Sequence, residues 1–456
     1  MTDRPFRIFI AGAELIGWTT ATLERKKQDM TGMLSVEIFF THLPKSPQMT
    51  NVVRGKPVAV YVGGHLAFTG TLDKRRGKGK GSGPGKGRSI SQGDTTAGGG
   101  LTTKIDKDRY TVTLRARGTT KPLVDSSHRH PTGNMLNAKT RQVTEELIKP
   151  WGIKLDWQAA DDDMDKARFR DGMTVVEELN RVGNEYAKYM WEGRDGTLLV
   201  RDGMTPGPMG EPLILGDNIL TFSAEQSEDE AVGKIKVKGQ RTKKNIRGRD
   251  AVENREKEIE DQWVKAQTNR TIQHYGDGTD EALEKRGKFE ADNRAAQSKQ
   301  CEIEVFHVQS RTGLPWDIAN LHYVEVPPEG VFDVLECIQV TYTVDAQKTL
   351  KTKLVLAPPP SGGISGGSGS LGALGGLAAM AARAAITEMQ SYGAQRRSQL
   401  GIKLRDGEYP DPWTGASLYA LPLTTEAEGD RKPYAVPQTP PLTLPAHLAN
   451  TGDTGA

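Results

Sequence analysis

Between Pro122 and Pro131, in PLVDSSHRHP, the residues Asp125, Ser126, Ser127, His128 and His130 fall within six positions. Carboxylate, hydroxyl and imidazole are the groups of a hydrolase relay, in which an acid orients a base and the base takes the proton of an attacking hydroxyl. Such a relay is assembled from residues distant in sequence that converge in space. Asp125, Ser127 and His128 are near-neighbours whose side chains diverge along an extended chain. The G-x-S-x-G turn that exposes a nucleophilic serine is also absent. The stretch reads as a strand end and turn in which Asp and Ser bind local backbone and Pro131 closes the turn. Hydrolysis through Asp125, Ser127 and His128 stands as the alternative.

Other chemistries are tested by spacing. GKGKGSGPGKGRS offers glycine-rich backbone that can wrap an anion, but a phosphate-binding loop needs a glycine where Lys80 stands and a hydroxyl where Gly87 stands. A dinucleotide fingerprint fails as well, because no strand–helix unit surrounds these glycines. What remains is a basic arm, Lys74, Arg75, Arg76, Lys78, Lys80, Lys86 and Arg88, suited to a phosphate backbone or an acidic protein surface. Against that stands a solvated hairpin tip. Asp161, Asp162, Asp163 and Asp165 lack the spacing, glycine and terminal glutamate of a calcium loop and read as a solvated loop. The other histidines (His42, His65, His274, His307, His322, His447) stand singly, without H-E-x-x-H or comparable spacing, so neither metal nor cofactor is expected. Cys301 and Cys337 allow at most one disulfide, and the opening MTDRPFRIFI lacks a signal-peptide core, which suggests a reducing, cytoplasmic origin.

The elements that must position these residues change character along the chain. At 456 residues the chain exceeds one ordinary core, and domains cluster at about 100–150 residues. Sixty-one Lys and Arg against 58 Asp and Glu leave a net charge of +3, so any electrostatic partner must be met locally. Short strands are expected from Arg7, Trp18, Leu34, Val58, Leu66 and Tyr110 onward. In LSVEIFF and YTVTLRAR apolar and polar residues alternate with the period of a half-buried strand. With no helix between them they predict a small antiparallel barrel over 1–125, carrying a glycine-rich hairpin extension at 74–104. Residues 126–205 read as an α+β module. NAKTRQVTEELIKP is a helix stopped by Pro150, and Thr174 with Glu177 forms a capping box ahead of a second apolar stripe.

Strand signals return over 206–357, predicting a second barrel in which the lysines of KIKVKG pair with Glu302 and Glu304 of CEIEV. The charged segment 241–300 reads as exposed helices inserted into it. Residues 358–456 read as a Gly/Pro-rich linker, a short helix near 371–393 and a Pro-rich arm that is either disordered or lies extended on a partner. The apolar run 371–386 contains Arg383 and is shorter than the roughly 20 residues a bilayer requires, so close packing is expected there and no membrane insertion. The fold class is thus multidomain, β-rich α+β, with two similar barrels.

The succession VRGKPVAVYVGGHLAFTGTLDKRR, a basic hairpin and RYTVTLRARGTTKPLVDSS resembles the baseplate hub proteins of contractile-tailed bacteriophages, the family of the phage Mu hub and late-control protein D. Gly55 to Gly64 matches the family's G-x-V-x-V-x-I-G-G strand, Thr69 to Asp73 its T-G-x-V-D, and Ala116 through Ser127 its G-R-S-x-x-x-D-L-V-D-C-S. Pro122 replaces the usual acid and Ser126 the usual cysteine. KIKVKGQ and the block from Arg311 to Asp345, with Trp316, resemble the family's second barrel, so the likeness spans residues 5–357. It implies a non-enzymatic homotrimer of the virion, assembled in the host cytoplasm, whose six barrels ring a lumen. The ring would adapt a sixfold tail tube or tube initiator to a threefold central spike, with wedge and tape-measure proteins as further contacts and DNA passing through. A tail-associated hydrolase or lysin, and nucleic-acid contact through the basic arm, are the competing readings.

Overall fold

The chain is represented by a computed structural model that describes residues 5–40, 52–78, 110–203, 205, 207–227, 232–244, 250–260, 268–276, 278–306, 309–310, 313–347 and 349–360. The first block holds β1 (Phe6–Ile10), β2 (Ala13–Glu14), β3 (Thr20–Lys26), β4 (Met33–Phe40), β5 (Pro57–Val62), β6 (His65–Lys78) and β7 (Tyr110–Gly118). Two-residue alternation dictates their faces. Leu34, Val36 and Ile38 of β4 are buried opposite Ala116, Leu114 and Val112 of β7, with which they share a register.

The middle block runs α1 (Lys121–Asp125), β8 (Asn134–Lys139), α2 (Thr140–Ile148), β9 (Leu155–Gln158), β10 (Asp163–Arg168), α3 (Val175–Glu185), β11 (Lys188–Glu192) and β12 (Leu198–Asp202). The expected capping box is present: Thr174 Oγ1 accepts from Glu177 N, and Glu177 Oε2 accepts from Thr174 N. Val175, Leu179 and Val182 bury one stripe of α3 in a core shared with Val143 and Leu147 of α2 and Leu198 and Val200 of β12.

The last block comprises β13 (Leu213–Ile214), β14 (Ile219–Gln226), β15 (Lys234–Lys244), β16 (Asp250–Glu260), β17 (Asn269–Gln273), α4 (Asp280–Ser298), β18 (Lys299–Val305), β19 (Leu321–Val326), β20 (Val331–Val344) and β21 (Leu350–Ala357). The first and last blocks do not form separate sheets. Residues Gln339–Val344 of β20 pair antiparallel with Ala21–Lys26 of β3, giving one thirteen-stranded sheet. On either side of that join the strand order repeats. It is β3-β4-β7-β6-β5-β1 in the first half and β14-β18-β21-β20-β19-β13 in the second. The halves differ at the last step, where β1 and β5 are antiparallel but β13 and β19 parallel. β6 and β20 are each 14 residues long, and each is bulged midway against its neighbour, between Leu72 and Lys74 and between Cys337 and Gln339.

Two expectations are corrected. Lys234 and Lys236 do not face Glu302 and Glu304, because β15 lies in a separate sheet between β16 and β17. Their partners are Glu260 and Glu256, at 2.6 and 3.0 Å, while Glu302 and Glu304 take Lys353 and Lys351 of β21. The charged insertion is also not all helix among the described residues. Its EKEIE run is strand, with the α4 helix following and packing Leu283 on Ile235 and Val237. Lysines projecting at every second position of β15 give a glutamate-bearing strand both backbone partners and countercharges, which overrides helix propensity.

Cys301 and Cys337 both register with Leu356, from opposite sides of β21. One strand therefore separates them, a spacing of about 9.5 Å, too wide for a disulfide. Both are free and buried, and burial pushes the Cys301 thiol up to about 11. Among the described residues no helix is long and apolar enough to cross a membrane. The apolar run 371–386, the expected helix near 371–393 and the extended arm lie outside the described residues.

Candidate interaction surface

The opening stretch is built as a joint. Lys121–Asp125 form the single turn of α1, Leu123 is wholly buried, and Ser127 bridges to Thr174 at the start of α3. Asp125 accepts from Arg117 Nη1 and Nη2 at 2.8 and 2.6 Å, while Asp73 of β6 receives Arg117 Nε and the Lys121 ammonium. His128 turns elsewhere, its Nε2 lying 3.3 Å from the Arg170 carbonyl and its ring against Phe169. The carboxylate of the supposed relay is thus engaged by a guanidinium rather than by the imidazole, so the structure does not bring Asp125, Ser127 and His128 together as a relay.

The Arg117 hydrogen bonds hold the Asp125 carboxyl below its ordinary value of 3.8, against a smaller opposing effect of burial. A depressed carboxylate lends stability above its unfolded pKa and loses it as pH falls through the folded one. A carbon-detected NMR titration should therefore place Asp125 below 3.8, and Arg117→Ala should return it to the ordinary range. An Asp125 midpoint unchanged by that substitution would contradict the pairing.

The acidic run at 161–165 is only partly the solvated loop expected. Asp161 Oδ1 accepts from Arg141 N and the Thr140 hydroxyl, capping α2 from the chain that leads into β10, the antiparallel partner of β8, and Asp162 pairs with the buried Lys188 at 2.7 Å. Asp163 and Asp165 are exposed. Among the described residues no group of three or more His, Cys, Asp or Glu is placed to hold a metal ion.

The strongest joints involve residues that no motif singled out. Glu192 ends β11 with its carboxylate inside the protein, accepting from Gly32 N at 2.8 Å and Thr120 N at 2.9 Å. Arg25 of β3 donates to the Glu192 carbonyl and to Asp317, and Arg194 grips the other oxygen of Asp317. Nearby, Lys27 is paired with Glu336 of β20 under the Tyr189 ring, and the Tyr189 hydroxyl donates to Asn293 of α4. Both halves of the sheet, the middle block and the insertion helix are thereby locked at one place.

Of the basic arm, Lys74, Arg75 and Arg76 are exposed on β6, and Lys78 ends that strand. They are sheet rather than free hairpin, because β7 supplies their backbone partners from Arg115 to Thr111. Lys80, Arg88 and Lys86 lie outside the described residues. On its other side, residues 74–78 of β6 have no strand partner among the described residues, and neither does the outer side of β14, at the far end of the sheet. An open edge is a surface onto which another strand can add.

Residues 120–202 match the family profile described as "Baseplate hub protein gp44-like, second domain". Baseplate hub protein gp44 of Escherichia phage Mu is 22% identical over 357 residues, covering 76% of this chain and 86% of the Mu protein. The chain is a relative of the Mu-type baseplate hubs. The same fold appears in the 43 kDa tail protein of prophage MuSo2 from Shewanella oneidensis (20% identity, TM-score 0.62, 78% of this chain and 98% of that one). It appears again in a tail protein of Neisseria meningitidis MC58 (16% identity, TM-score 0.57, 78% and 96%). The gp44-like second domain of this hub relative runs from the N-cap of α1 to the end of β12, so the opening stretch, with Asp125 and His128, is the entry into that domain.

Proposed function

We propose that this protein is a structural, non-catalytic baseplate hub of a contractile phage tail, and that three copies close into a ring of six strand-built blocks around a lumen. The observation that carries the reading is internal repetition. One chain presents two blocks of matching strand order, joined edge to edge through β3 and β20. A sixfold tube cannot make equivalent contacts with a threefold spike, but a trimer of duplicated blocks offers six near-equivalent surfaces on one side and three on the other. The partners on this reading are the tail tube or its initiator and the central spike, with wedge and tape-measure proteins at the periphery and DNA passing through the ring. The protein would reside in the virion baseplate after assembly in the host cytoplasm. Each obligate interface should bury more than about 2,000 Å².

Light scattering of the purified full-length protein, alone and with its spike, tests this directly. A mass of three chains is expected, with images showing a ring of six similar lobes. A protein that stays monomeric at micromolar concentration in the presence of the spike would contradict it.

A further inference from the structure

The repeat does more than duplicate surfaces: it fixes how one chain should meet the next. Within the chain, the half of β20 beyond its bulge receives β3, with Thr341 opposite Glu24. The bulges align the two long strands residue by residue. Gln339 follows the β20 bulge as Lys74 follows the β6 bulge, so Thr341 corresponds to Arg76. The other side of the join aligns through paired neighbours. Leu23 faces Leu34, which faces Ala116, and Ala224 faces Cys301, which faces Leu356. Ala116 faces Leu72 and Leu356 faces Cys337, in each case the residue just before the bulge of the long strand, so Ala224 corresponds to Leu23 and Glu225 to Glu24.

The two strands left over by this correspondence are the two open edges. Residues 74–78 of β6 stand where β20 stands in the internal join, and β14 stands where β3 stands. Resting on the trimer reading, we infer that β14 of one copy adds antiparallel to Lys74–Lys78 of the next, with Glu225 opposite Arg76. The partner is a second copy of this chain. Both residues are exposed in the single chain, and their charges are complementary. The contact is head to tail, so it closes into a ring if the rotation is right. It also gives Arg76 of β6 a use unrelated to nucleic acid: it favours an edge that presents Glu225 over a second basic edge, which is how charged edges select partners.

Directly opposed residues of an antiparallel pair have Cα atoms about 4.5–5.5 Å apart, within reach of a disulfide. The full-length double variant Arg76→Cys with Glu225→Cys should therefore form chain-to-chain disulfides on mild oxidation, giving covalent dimers and trimers on non-reducing gels. Each single variant should give none. Six strands separate β6 from β14 within one chain, so a bond inside the chain cannot substitute. The equivalent internal pair, Glu24→Cys with Thr341→Cys, should cross-link without change of chain mass and serves as the positive control. If the protein is a trimer by light scattering, the control pair oxidises and the Arg76/Glu225 pair does not, the strand assignment is wrong while the hub reading stands. A monomer would overturn both.

Discussion

Replacing Glu336 by alanine should destabilise the protein by about 3–5 kcal/mol, because it leaves a buried ammonium without its countercharge. Lys27 Nζ lies 2.8 and 2.7 Å from the two oxygens of Glu336, and the side chains are 6% and 5% exposed. Burial holds the Lys27 pKa below its ordinary value, and Glu336 is the main group opposing that shift. The Tyr189 ring, its centroid 3.6 Å from the ammonium, offers about 2 kcal/mol of compensation, less than the loss. Lys27→Met should cost a similar amount by stranding the carboxylate instead. Replacing both, Lys27→Met with Glu336→Leu, removes the desolvation of both ions and should restore stability to within about 1 kcal/mol of the parent. Denaturant midpoints of the four proteins close the cycle. A double variant that loses the sum of the two single losses would show that the pair is not coupled.

Local physics made much of this fold readable from the sequence. The alternation of Leu34, Val36 and Ile38 fixes a strand face wherever the strand lies in the sheet, and a capping box needs only Thr174 and Glu177. Partner choice is different in kind. The lysines of β15 match the acidic spacing of β16 and of β18 equally well, and only the tertiary arrangement decides between them. Lys27, Glu192 and Glu336 look like ordinary solvent-facing charges, since burial there arises where three blocks meet. Asp161 caps a helix that begins some twenty residues earlier, because the antiparallel pairing of β10 with β8 brings it back. Lys74 to Lys78 read as loop because glycine and lysine disfavour strands, yet β7 supplies the ladder that holds them extended. The strand order shared by the two halves has no signature in residue spacing, and it is the feature on which the candidate surface depends.

Glu192→Ala should be comparably damaging, costing about 2–6 kcal/mol. Glu192 is 4% exposed and its carboxylate satisfies Gly32 N and Thr120 N, so its removal leaves two buried donors unpaired at about 1–3 kcal/mol each. Gly118→Ala reaches the same joint from outside, since a Cβ there would lie 1.7 Å from Glu192 Oε2 and must displace the carboxylate. Desolvation raises the Glu192 pKa above its ordinary 4.5, with the two backbone hydrogen bonds pulling it down less strongly. An acid with a raised folded pKa contributes stability that is complete below the unfolded value and fades as pH rises through the folded one. The parent should accordingly lose some stability above pH 4.5 that the alanine variant does not lose, although the variant is less stable throughout. Thermal unfolding of both proteins across pH 4 to 7 measures this. Parallel profiles would mean that Glu192 titrates as an exposed carboxyl does, and the joint between the sheet and the gp44-like domain would have to be held elsewhere.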